Sequence, residues 1–274
     1  MRERCRKLDK SPIFIGGAGR SGTTLLRVIL DTHPSIVCGP EFKIIPSIAE
    51  HWANTARSFG SILQSYNLSI EKLSSSYASF ILDLLGPLLE KSGKQRIAEK
   101  SPNNVFYFYH LNQMFPESPL VHLIRDGRDV VCSLLTMNWM SADSNKRLPY
   151  TESAAEAARY WVQAVTTGRK AGSMPSAQRK YYEMRYEDII QNPESTLRSL
   201  FTALDEPWDP CVLEFHTKKR DLGEESSAAQ ASQKMYSSSR GRWERDLADE
   251  DKYVVKRVAG DLLIELGYAK SSDW

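Results

Sequence analysis

Short apolar runs alternate with longer amphipathic stretches along the whole chain. The short runs are typical of buried strands, and apolar positions spaced three and four residues apart in the longer stretches are typical of helices. The predicted strands are residues 11–16, 36–38, 96–99, 120–124 and 180–185. The predicted helices are residues 21–31, 43–59, 70–91, 103–115, 126–138, 153–172, 194–204, 210–215 and 249–266.

The regular alternation of strands and helices predicts the fold class. Parallel strands joined by crossover helices form a sheet that is covered on both faces. We therefore expect an α/β fold of three layers, with a central, mostly parallel sheet flanked by helices. No repeat and no break in composition marks a boundary, so residues 1–274 are interpreted as a single domain. Residues 221–240 are rich in Ser, Ala and Gln and are interpreted as a long mobile loop, of a length that is usually functional or disordered.

Composition argues against several classes of protein. The formal net charge is +2, so no global field draws the chain to nucleic acid or to an acidic membrane, and any anion site has to be built locally. The apolar runs are too short to span a bilayer, and the charged residues 1–7 precede no apolar segment of a signal peptide. Four cysteines far apart in the chain (Cys5, Cys38, Cys132 and Cys211) favour reduced thiols over a zinc site or a disulfide framework. These features predict a cytoplasmic protein.

Residues 17–24, Gly-Ala-Gly-Arg-Ser-Gly-Thr-Thr, lie between the first predicted strand and the first predicted helix. Glycines let the backbone wrap closely around an anion, and the start of a helix points free N–H groups at the same place. The spacing from Gly17 to Gly22 matches the first six positions of a phosphate-binding loop. However, Thr23 stands where a nucleotide triphosphatase has a lysine, and Arg20 is the one cation of the loop. The loop therefore predicts a site for a phosphate-like group without the lysine that ATP chemistry uses.

A second anion site is indicated where the predicted strand 120–124 ends in charge. Ligands of an open α/β sheet bind beyond the carboxyl ends of its strands, and Arg125 lies at such an end. Asp126 is interpreted as the N-cap of the next helix, with Asp129 at the spacing of a capping box. Asp126 also fits the metal-holding carboxylate of a nucleotide triphosphatase, but the missing loop lysine argues against that role. Arg128 is interpreted as a weaker anion ligand or as one half of a surface ion pair.

The loop and its surroundings resemble the PAPS-dependent sulfotransferases, and look closest to the tyrosylprotein sulfotransferase branch and its bacterial relatives. The resemblance rests on residues 15–25, on residues 30–34, and on residues 38–46, whose Cys-Gly-Pro-Glu-Phe-Lys-Ile-Ile-Pro is similar to that branch's Cys-Gly-Glu-Glu-Thr-Arg-Ile-Ile-Pro. It is dense over residues 11–46 and 99–138 and thinner beyond them. It implies a P-loop-like fold, a donor PAPS (3′-phosphoadenosine 5′-phosphosulfate) that leaves as PAP, and catalysis that requires no metal.

The resemblance implies three catalytic residues. Glu41 matches the family's catalytic glutamate and would take the proton of the attacking hydroxyl, although the family's paired Glu-Glu is Pro40-Glu41 in this chain. Lys100 matches a lysine that stabilises the leaving oxygen, and Arg20 would contact the phosphosulfate. Small-molecule sulfotransferases place a catalytic histidine soon after that lysine. Residues 101–109 contain none, which favours Glu41 as the base.

The resemblance also implies the residues that bind the donor. Arg125 and Ser133 match a pair that binds the 3′-phosphate, and Tyr186 matches a tyrosine that touches the nucleotide. Residues 237–243 resemble a late loop that closes over the 3′-phosphate, so residues 221–243 are expected to form a mobile donor-closing loop. The full set of expected donor ligands is Gly19, Arg20, Ser21, Gly22, Thr23, Thr24, Arg125, Ser133, Tyr186, Ser239, Arg240 and Arg242.

The sequence leaves the acceptor open. Residues 43–95 are expected to form helices beside the acceptor cleft, where Lys43 keeps the charge but not the fork of an arginine with which the family holds acidic peptides. A peptide tyrosine, a glycan and a small hydroxylated metabolite are all candidates, and a homodimer is compatible with the chain. No nucleic acid or membrane partner is expected. Two other functions compete: a P-loop kinase or nucleotide triphosphatase that uses Mg²⁺, and a non-catalytic protein that binds PAP or another nucleotide.

Overall fold

The computed structural model describes residues 10–58, 60–141, 144–218, 227, 233–235 and 239–274. Within these residues, five parallel strands form one sheet in the order β2-β3-β1-β4-β5. The strands are β1 (Ile13–Gly16), β2 (Ile36–Cys38), β3 (Arg96–Lys100), β4 (Leu120–Ile124) and β5 (Tyr181–Arg185). The predicted α/β fold with a central parallel sheet is confirmed.

Helices cover both faces of the sheet because its strands are apolar on both faces. On β1, Phe14 packs into one core and Ile13 and Ile15 pack into the other, and all three are fully buried. The α-helices are α1 (Thr23–Thr32), α2 (Ile44–Ser58), α3 (Gly60–Ser65), α4 (Ile70–Ser92), α5 (Phe108–Met114), α6 (Gly127–Leu135), α7 (Ala154–Gly172), α8 (Tyr186–Gln191), α9 (Pro193–Ala203), α10 (Trp243–Asp246) and α11 (Asp249–Glu265). The 3-10 helices of the described residues are Pro102–Tyr107, Pro149–Thr151 and Pro210–Thr217.

The register of the sheet brings three strand ends to one edge. Ile15 of β1 lies beside Lys100 of β3 and Val121 of β4, and Gly16 lies beside His122. Parallel strands all end at the same edge, so the segments that follow β1, β3 and β4 meet there. This edge carries the glycine-rich loop, the residues after Lys100, and the charged stretch after Ile124.

Local hydrogen bonds divide one predicted helix and shorten another. The helix expected over residues 103–115 begins as the 3-10 helix Pro102–Tyr107, where the Asn104 amide donates to the Ile15 carbonyl (3.1 Å) and to the Glu99 carboxylate (2.6 Å). The helix expected to reach residue 138 ends at Leu135, where the Thr136 hydroxyl donates to the Ser133 carbonyl at 2.8 Å. The helices α3, α8 and α10 are too short to show a helical period in the sequence.

The cysteines that the structure describes, Cys38, Cys132 and Cys211, are free thiols, and Cys5 lies outside the described residues. Cys38 lies directly across from Ala98 on the neighbouring strand. Burial raises the pKa of the Cys38 thiol far above its ordinary value. Of the helices in the described ranges, none combines the length and the apolar character needed to cross a bilayer.

Candidate active site

The glycine-rich loop between β1 and α1 has a backbone that only certain residues allow. Gly22, with φ of 92°, lies in the left-handed region, and a Cβ there would stand 2.4 Å from the ring of Tyr186. A Cβ on Gly17 would stand 2.3 Å from the Leu123 carbonyl oxygen. Arg20 is also left-handed, with φ of 72°, a conformation that stores strain in a residue with a side chain. The loop is thus held tightly against the strand ends and the Tyr186 ring.

A cavity of about 330 Å³ lies beside the loop, and we call it the basic cavity because four arginines and a lysine line it. Its acidic lining residue is Asp246, which pairs with Arg242 at 3.0 Å. The positive charge in excess suits an anionic ligand. The predicted donor ligands that line it are Arg20, Gly22, Thr24, Arg125, Ser133, Tyr186, Ser239 and Arg242.

Arg125 connects the glycine-rich loop to residues 239–243, which we call the late segment. Its guanidinium donates to the Arg20 carbonyl at 3.0 Å and to the Ser239 carbonyl, and it lies over the Tyr186 ring, 4.8 Å from the ring centre. The Tyr186 hydroxyl is 2.8 Å from the Ser239 hydroxyl. Arg125 is buried, and its Nε has no hydrogen-bond partner among the described residues. A buried donor of this kind is costly unless a ligand satisfies it, so it fits an anion in the basic cavity.

Ser133 and Arg20 are in direct contact within the same cavity. The Nε of Arg20 donates to the Ser133 hydroxyl at 3.0 Å, and a terminal nitrogen of Arg20 donates to the Ser227 hydroxyl at 2.7 Å. One side chain therefore joins the loop, helix α6 and Ser227. Two predicted ligands lie apart from both cavities: Ser21 is buried with no hydrogen-bond partner for its hydroxyl in the described ranges, and Arg240 points its guanidinium at the Gln191 amide.

Asp129 holds the late segment in place, which corrects the capping-box interpretation. Its carboxylate accepts hydrogen bonds from the backbone N–H groups of Gly241 (2.8 Å) and Trp243 (3.1 Å), and it lies 3.7 Å from the Arg125 guanidinium. Asp129 is fully buried, and burial raises its pKa against the lowering effects of Arg125 and of these N–H groups. The predicted N-cap role of Asp126 is confirmed, since it accepts from the N–H of Arg128 at 3.0 Å.

The surface interpretation of Arg128 is wrong. Its guanidinium is buried, donates to the Asp126 carboxylate at 2.7 Å and to the Tyr268 carbonyl at 2.6 Å, and lies over the rings of Trp243 and Trp274. Cation–π contacts and a buried ion pair therefore hold Arg128 in the protein interior next to the site, and not in solvent. Both Asp126 carboxylate oxygens accept from Arg128, which explains this aspartate without a metal ion.

A second cavity, of about 720 Å³, also borders the loop. We call it the aromatic cleft, because Trp139, Tyr150 and Tyr160 line it. Tyr150 and Tyr160 stack with ring centres 4.3 Å apart, and the Tyr160 hydroxyl accepts from the backbone N–H of Gly19 at 2.9 Å. Of the predicted site residues, the cleft is lined by Gly19, Arg20, Gly22, Thr23, Thr24 and Glu41.

Glu41 and Lys100 form an ion pair of 3.3 Å at the edge of this cleft. The Glu41 side chain is 24% exposed, whereas the Lys100 side chain is fully buried and lines neither cavity. Glu99, the residue before Lys100, accepts hydrogen bonds from the Ser101 hydroxyl (2.7 Å) and the Asn104 amide (2.6 Å). Burial raises the pKa of the Glu99 carboxyl to about 7, although these two hydrogen bonds lower it.

The two cavities meet at the loop, since Arg20, Gly22 and Thr24 line both. A group bound at this junction can be approached from the aromatic cleft while the rest of its molecule occupies the basic cavity. The arrangement suits a group transfer in which donor and acceptor occupy adjoining cavities.

Sequence reasoning missed the residues that distant segments bring to the site. Tyr160 lies on helix α7, and Tyr150 in a 3-10 helix, and neither carries a motif. Asp129 was visible in a charged run, but nothing in that run shows that it bonds to residues more than a hundred positions away.

Of the predicted donor-closing loop 221–243, residues 221–226, 228–232 and 236–238 lie outside the described residues.

Comparison with known proteins gives matches to sulfotransferases. A model of the Sulfotransferase family matches residues 12–210. The chain is 30% identical to protein-tyrosine sulfotransferase A of Caenorhabditis elegans over 73% of the chain and 51% of that relative. It is also 30% identical to protein-tyrosine sulfotransferase 1 of Homo sapiens, over 75% of the chain and 54% of that relative. The chain therefore spans about half the length of these relatives.

Solved structures share the fold at lower identity. The sulfotransferase domain from the curacin biosynthetic pathway superposes with a TM-score of 0.63 at 22% identity, over 93% of this chain and 98% of that domain. The sulfotransferase domain of the Synechococcus PCC 7002 olefin synthase gives a TM-score of 0.60 at 20% identity, over 92% and 96%. Mouse sulfotransferase SULT7A1, solved as a complex with PAP, gives 0.52 at 13% identity, over 93% and 84%.

Proposed function

The chain belongs to the sulfotransferase family, and from this premise we propose that it transfers the sulfuryl group of PAPS to a hydroxyl-bearing acceptor. The observation that carries the proposal is the junction of two cavities at the glycine-rich loop, where Arg20, Gly22 and Thr24 line both. On this proposal the nucleotide occupies the basic cavity and the acceptor occupies the aromatic cleft. The sulfuryl group lies at the junction, within reach of both.

The residues around the basic cavity fit a donor with two anionic ends. The loop offers the start of helix α1 to the 5′-phosphosulfate, and Arg125 with Ser133 is assigned to the 3′-phosphate. The buried Nε of Arg125, which has no partner among the described residues, supports this assignment, because a phosphate oxygen would satisfy it. Tyr186, Ser239 and Arg242 line the same cavity and are assigned to the nucleotide end. The proposal requires no metal ion.

The residues at the junction divide the chemistry between them. The donor supplies a sulfuryl group bonded through a bridging oxygen to the 5′-phosphate. Glu41 accepts the proton of the acceptor hydroxyl as the acceptor oxygen forms its bond to sulfur. The bond from sulfur to the bridging oxygen breaks, and its electron pair stays on that oxygen. Lys100 and Arg20 stabilise the charge that develops there.

The ion pair of Glu41 with Lys100 supports these roles and limits them. Glu41 lines the cleft, whereas Lys100 is buried, lines neither cavity and pairs with Glu41. Lys100 therefore contacts the bridging oxygen only after its ammonium group turns from Glu41 toward the loop. That turn would also break this ion pair of the Glu41 carboxylate as the carboxylate meets the acceptor proton, so the two roles are linked.

Calorimetry with PAP, ADP and ATP–Mg²⁺ tests the donor. We expect tight binding of PAP in EDTA, because the basic cavity supplies arginines for two phosphates and Thr23 replaces the lysine of ATP-binding loops. A preference for ATP–Mg²⁺ would falsify the proposal in favour of a kinase or nucleotide triphosphatase. Binding of PAP without transfer to any acceptor would favour a non-catalytic nucleotide-binding protein.

A screen for release of PAP identifies the acceptor. Peptides that contain tyrosine, oligosaccharides and small phenols and alcohols are each incubated with PAPS and the protein. The named relatives are protein-tyrosine sulfotransferases, so we propose a peptide tyrosine as the first candidate. Turnover with sugars alone would instead assign the aromatic cleft to a glycan.

A further inference from the structure

The Gly19 amide does not point its N–H into the site. It donates to the Tyr160 hydroxyl at 2.9 Å, and a Cβ on Gly19 would stand 3.4 Å from that hydroxyl oxygen and 3.5 Å from the Trp139 ring. The loop thus lies directly on the wall of the aromatic cleft. The sequence predicts Gly19 as a ligand of the donor, but in the structure its amide N–H is already bonded to a tyrosine hydroxyl that lines the same cleft.

The Tyr160 hydroxyl has one proton still to donate. It accepts from Gly19, and among the described residues it donates no hydrogen bond of its own. Tyr160 lines the cleft together with Gly19, Arg20 and Glu41. Burial raises the pKa of Tyr160 well above its usual range, and Tyr150 and Glu41 act in the same direction. The phenol therefore stays protonated near neutral pH and remains a donor.

Neighbouring rings fix the direction of this hydroxyl. The Tyr160 ring stacks on Tyr150 with an interplanar angle of 18°, and Phe106 packs against it with ring centres 5.9 Å apart. Helix α7, which carries Tyr160, packs against α6, the helix of Ser133. A donor held by packing costs little reorganisation when charge develops nearby, so it stabilises a transition state more than a freely rotating group does.

We propose that Tyr160 is a further catalytic residue, whose hydroxyl donates a hydrogen bond to a non-bridging oxygen of the sulfuryl group held at the loop. The proposal rests on the proposed function. Acceptance of the Gly19 N–H polarises the tyrosine O–H, so the loop amide acts on the sulfuryl oxygen through the tyrosine. No proton is transferred by Tyr160, and the proton of the acceptor still goes to Glu41.

The variant Tyr160→Phe tests this role by comparing two ligands. PAP lacks the sulfuryl group, so its Kd should stay within about twofold, whereas the Kd of PAPS should rise about tenfold, as expected for loss of a hydrogen bond to a charged group. With a phenol such as 4-methylumbelliferone as the acceptor probe, kcat should fall about 100-fold with little change in the acceptor KM. Tyr253→Phe removes the same atom from an exposed tyrosine and should leave all these values unchanged.

Each other outcome overturns the proposal. Equal Kd values for PAPS in Tyr160→Phe and in the unmodified protein mean that the hydroxyl does not touch the sulfuryl group. Equal weakening of PAP and PAPS means that Tyr160 only supports the Gly19 backbone. If the unmodified protein binds neither ligand, the proposed function fails first and this role fails with it. Phenylalanine keeps the stacked ring, and a thermal unfolding midpoint close to that of the unmodified protein excludes a folding defect.

Discussion

Glu41 and Lys100 show how a single contact decides which residue can act. Both are assigned to the chemistry by resemblance, and in the structure they neutralise each other at 3.3 Å. A carboxylate that lines the cleft can meet an acceptor hydroxyl directly, whereas a buried ammonium group must move first. At the residue scale, therefore, Glu41 is the position where a conservative substitution separates binding from chemistry.

Glu41→Gln should leave the PAP affinity within about twofold and lower kcat by about 100-fold or more, because the amide keeps the shape but cannot take a proton. Calorimetry with PAP and an assay of PAP release from PAPS measure the two effects. Glu250→Gln, at an exposed position of helix α11, is the matched control. Unchanged turnover in Glu41→Gln would move the base to another residue.

Gly22→Ala should abolish PAP binding, because its Cβ would stand 2.4 Å from the Tyr186 ring and the residue would also be strained at φ of 92°. Gly267→Ala separates these two causes, since Gly267 has φ of 72° but nothing within 4 Å of its Cβ. That control should lose only about 1 kcal/mol of folding free energy and keep its PAP affinity. Thermal unfolding and calorimetry measure both variants, and PAP binding by Gly22→Ala would contradict the prediction.

Elements far apart in sequence are joined at the site by few contacts. The segment Ser239–Trp243 reaches the first turn of α6 through the Asp129 carboxylate, the end of β4 through Arg125, and α8 through Tyr186. Next to it, Arg128 packs between α10 and the end of the chain through Trp243 and Trp274. The late segment thus depends on Asp129, Arg125 and Tyr186 for its position beside the basic cavity.

Asp129→Asn should weaken PAP binding by about tenfold, because an amide cannot accept both backbone N–H groups as well as a carboxylate does and cannot balance the charge of Arg125. Hydrogen exchange of the Gly241 and Trp243 amides should also become faster, since these two groups donate to Asp129. Asp261→Asn, at an exposed position of α11, is the control. Unchanged hydrogen exchange of these amides and unchanged PAP affinity would show that Asp129 does not hold the late segment in place.

Stability is a property of the whole molecule, and Glu99 connects it to pH. This buried carboxyl has a pKa of about 7 in the folded protein, above its ordinary value, so the folded state binds its proton more tightly than the unfolded state does. The stabilisation of the folded state by the Glu99 proton is therefore fully present below the ordinary pKa of a glutamate. It is lost as the pH rises toward 7 and amounts to roughly 3 kcal/mol.

Glu99→Gln should flatten this dependence, because the neutral amide keeps a hydrogen bond from Asn104 and the Ser101 hydroxyl can turn to accept from it. The unfolding midpoint of the unmodified protein should fall between pH 5 and pH 8 more steeply than that of the variant. Thermal unfolding at four pH values measures the difference. Parallel curves would show that Glu99 is not protonated in the fold.

The single-domain, homodimer and cytoplasmic interpretations stay predictions at this scale.

The sequence by itself determined the strands, the order of elements and the position of the glycine-rich loop. The strands 36–38 and 120–124 were predicted to the residue, and Asp126 caps its helix as predicted. These features depend on hydrophobic period, on caps and on glycine, which act between near neighbours. The loop, Arg125 and Ser133 were also identified as candidates, since strand ends of a parallel sheet meet at one edge.

Only the tertiary structure decided what those residues contact. Asp129 accepts hydrogen bonds from the backbone of Gly241 and Trp243 instead of completing a capping box. Arg128, which was predicted on the surface, is buried against the rings of Trp243 and Trp274. The Tyr160 hydroxyl accepts from the Gly19 amide, 141 positions away in the chain. The physical reason is that an unpaired polar group is costly when it is buried, so most buried polar groups have partners, and in a sheet with crossover helices those partners often lie far along the chain. The ligands at the loop could be predicted from residues that are close together in the sequence. The aromatic cleft beside the loop forms only when helix α7 packs against it and brings Tyr160 to the site.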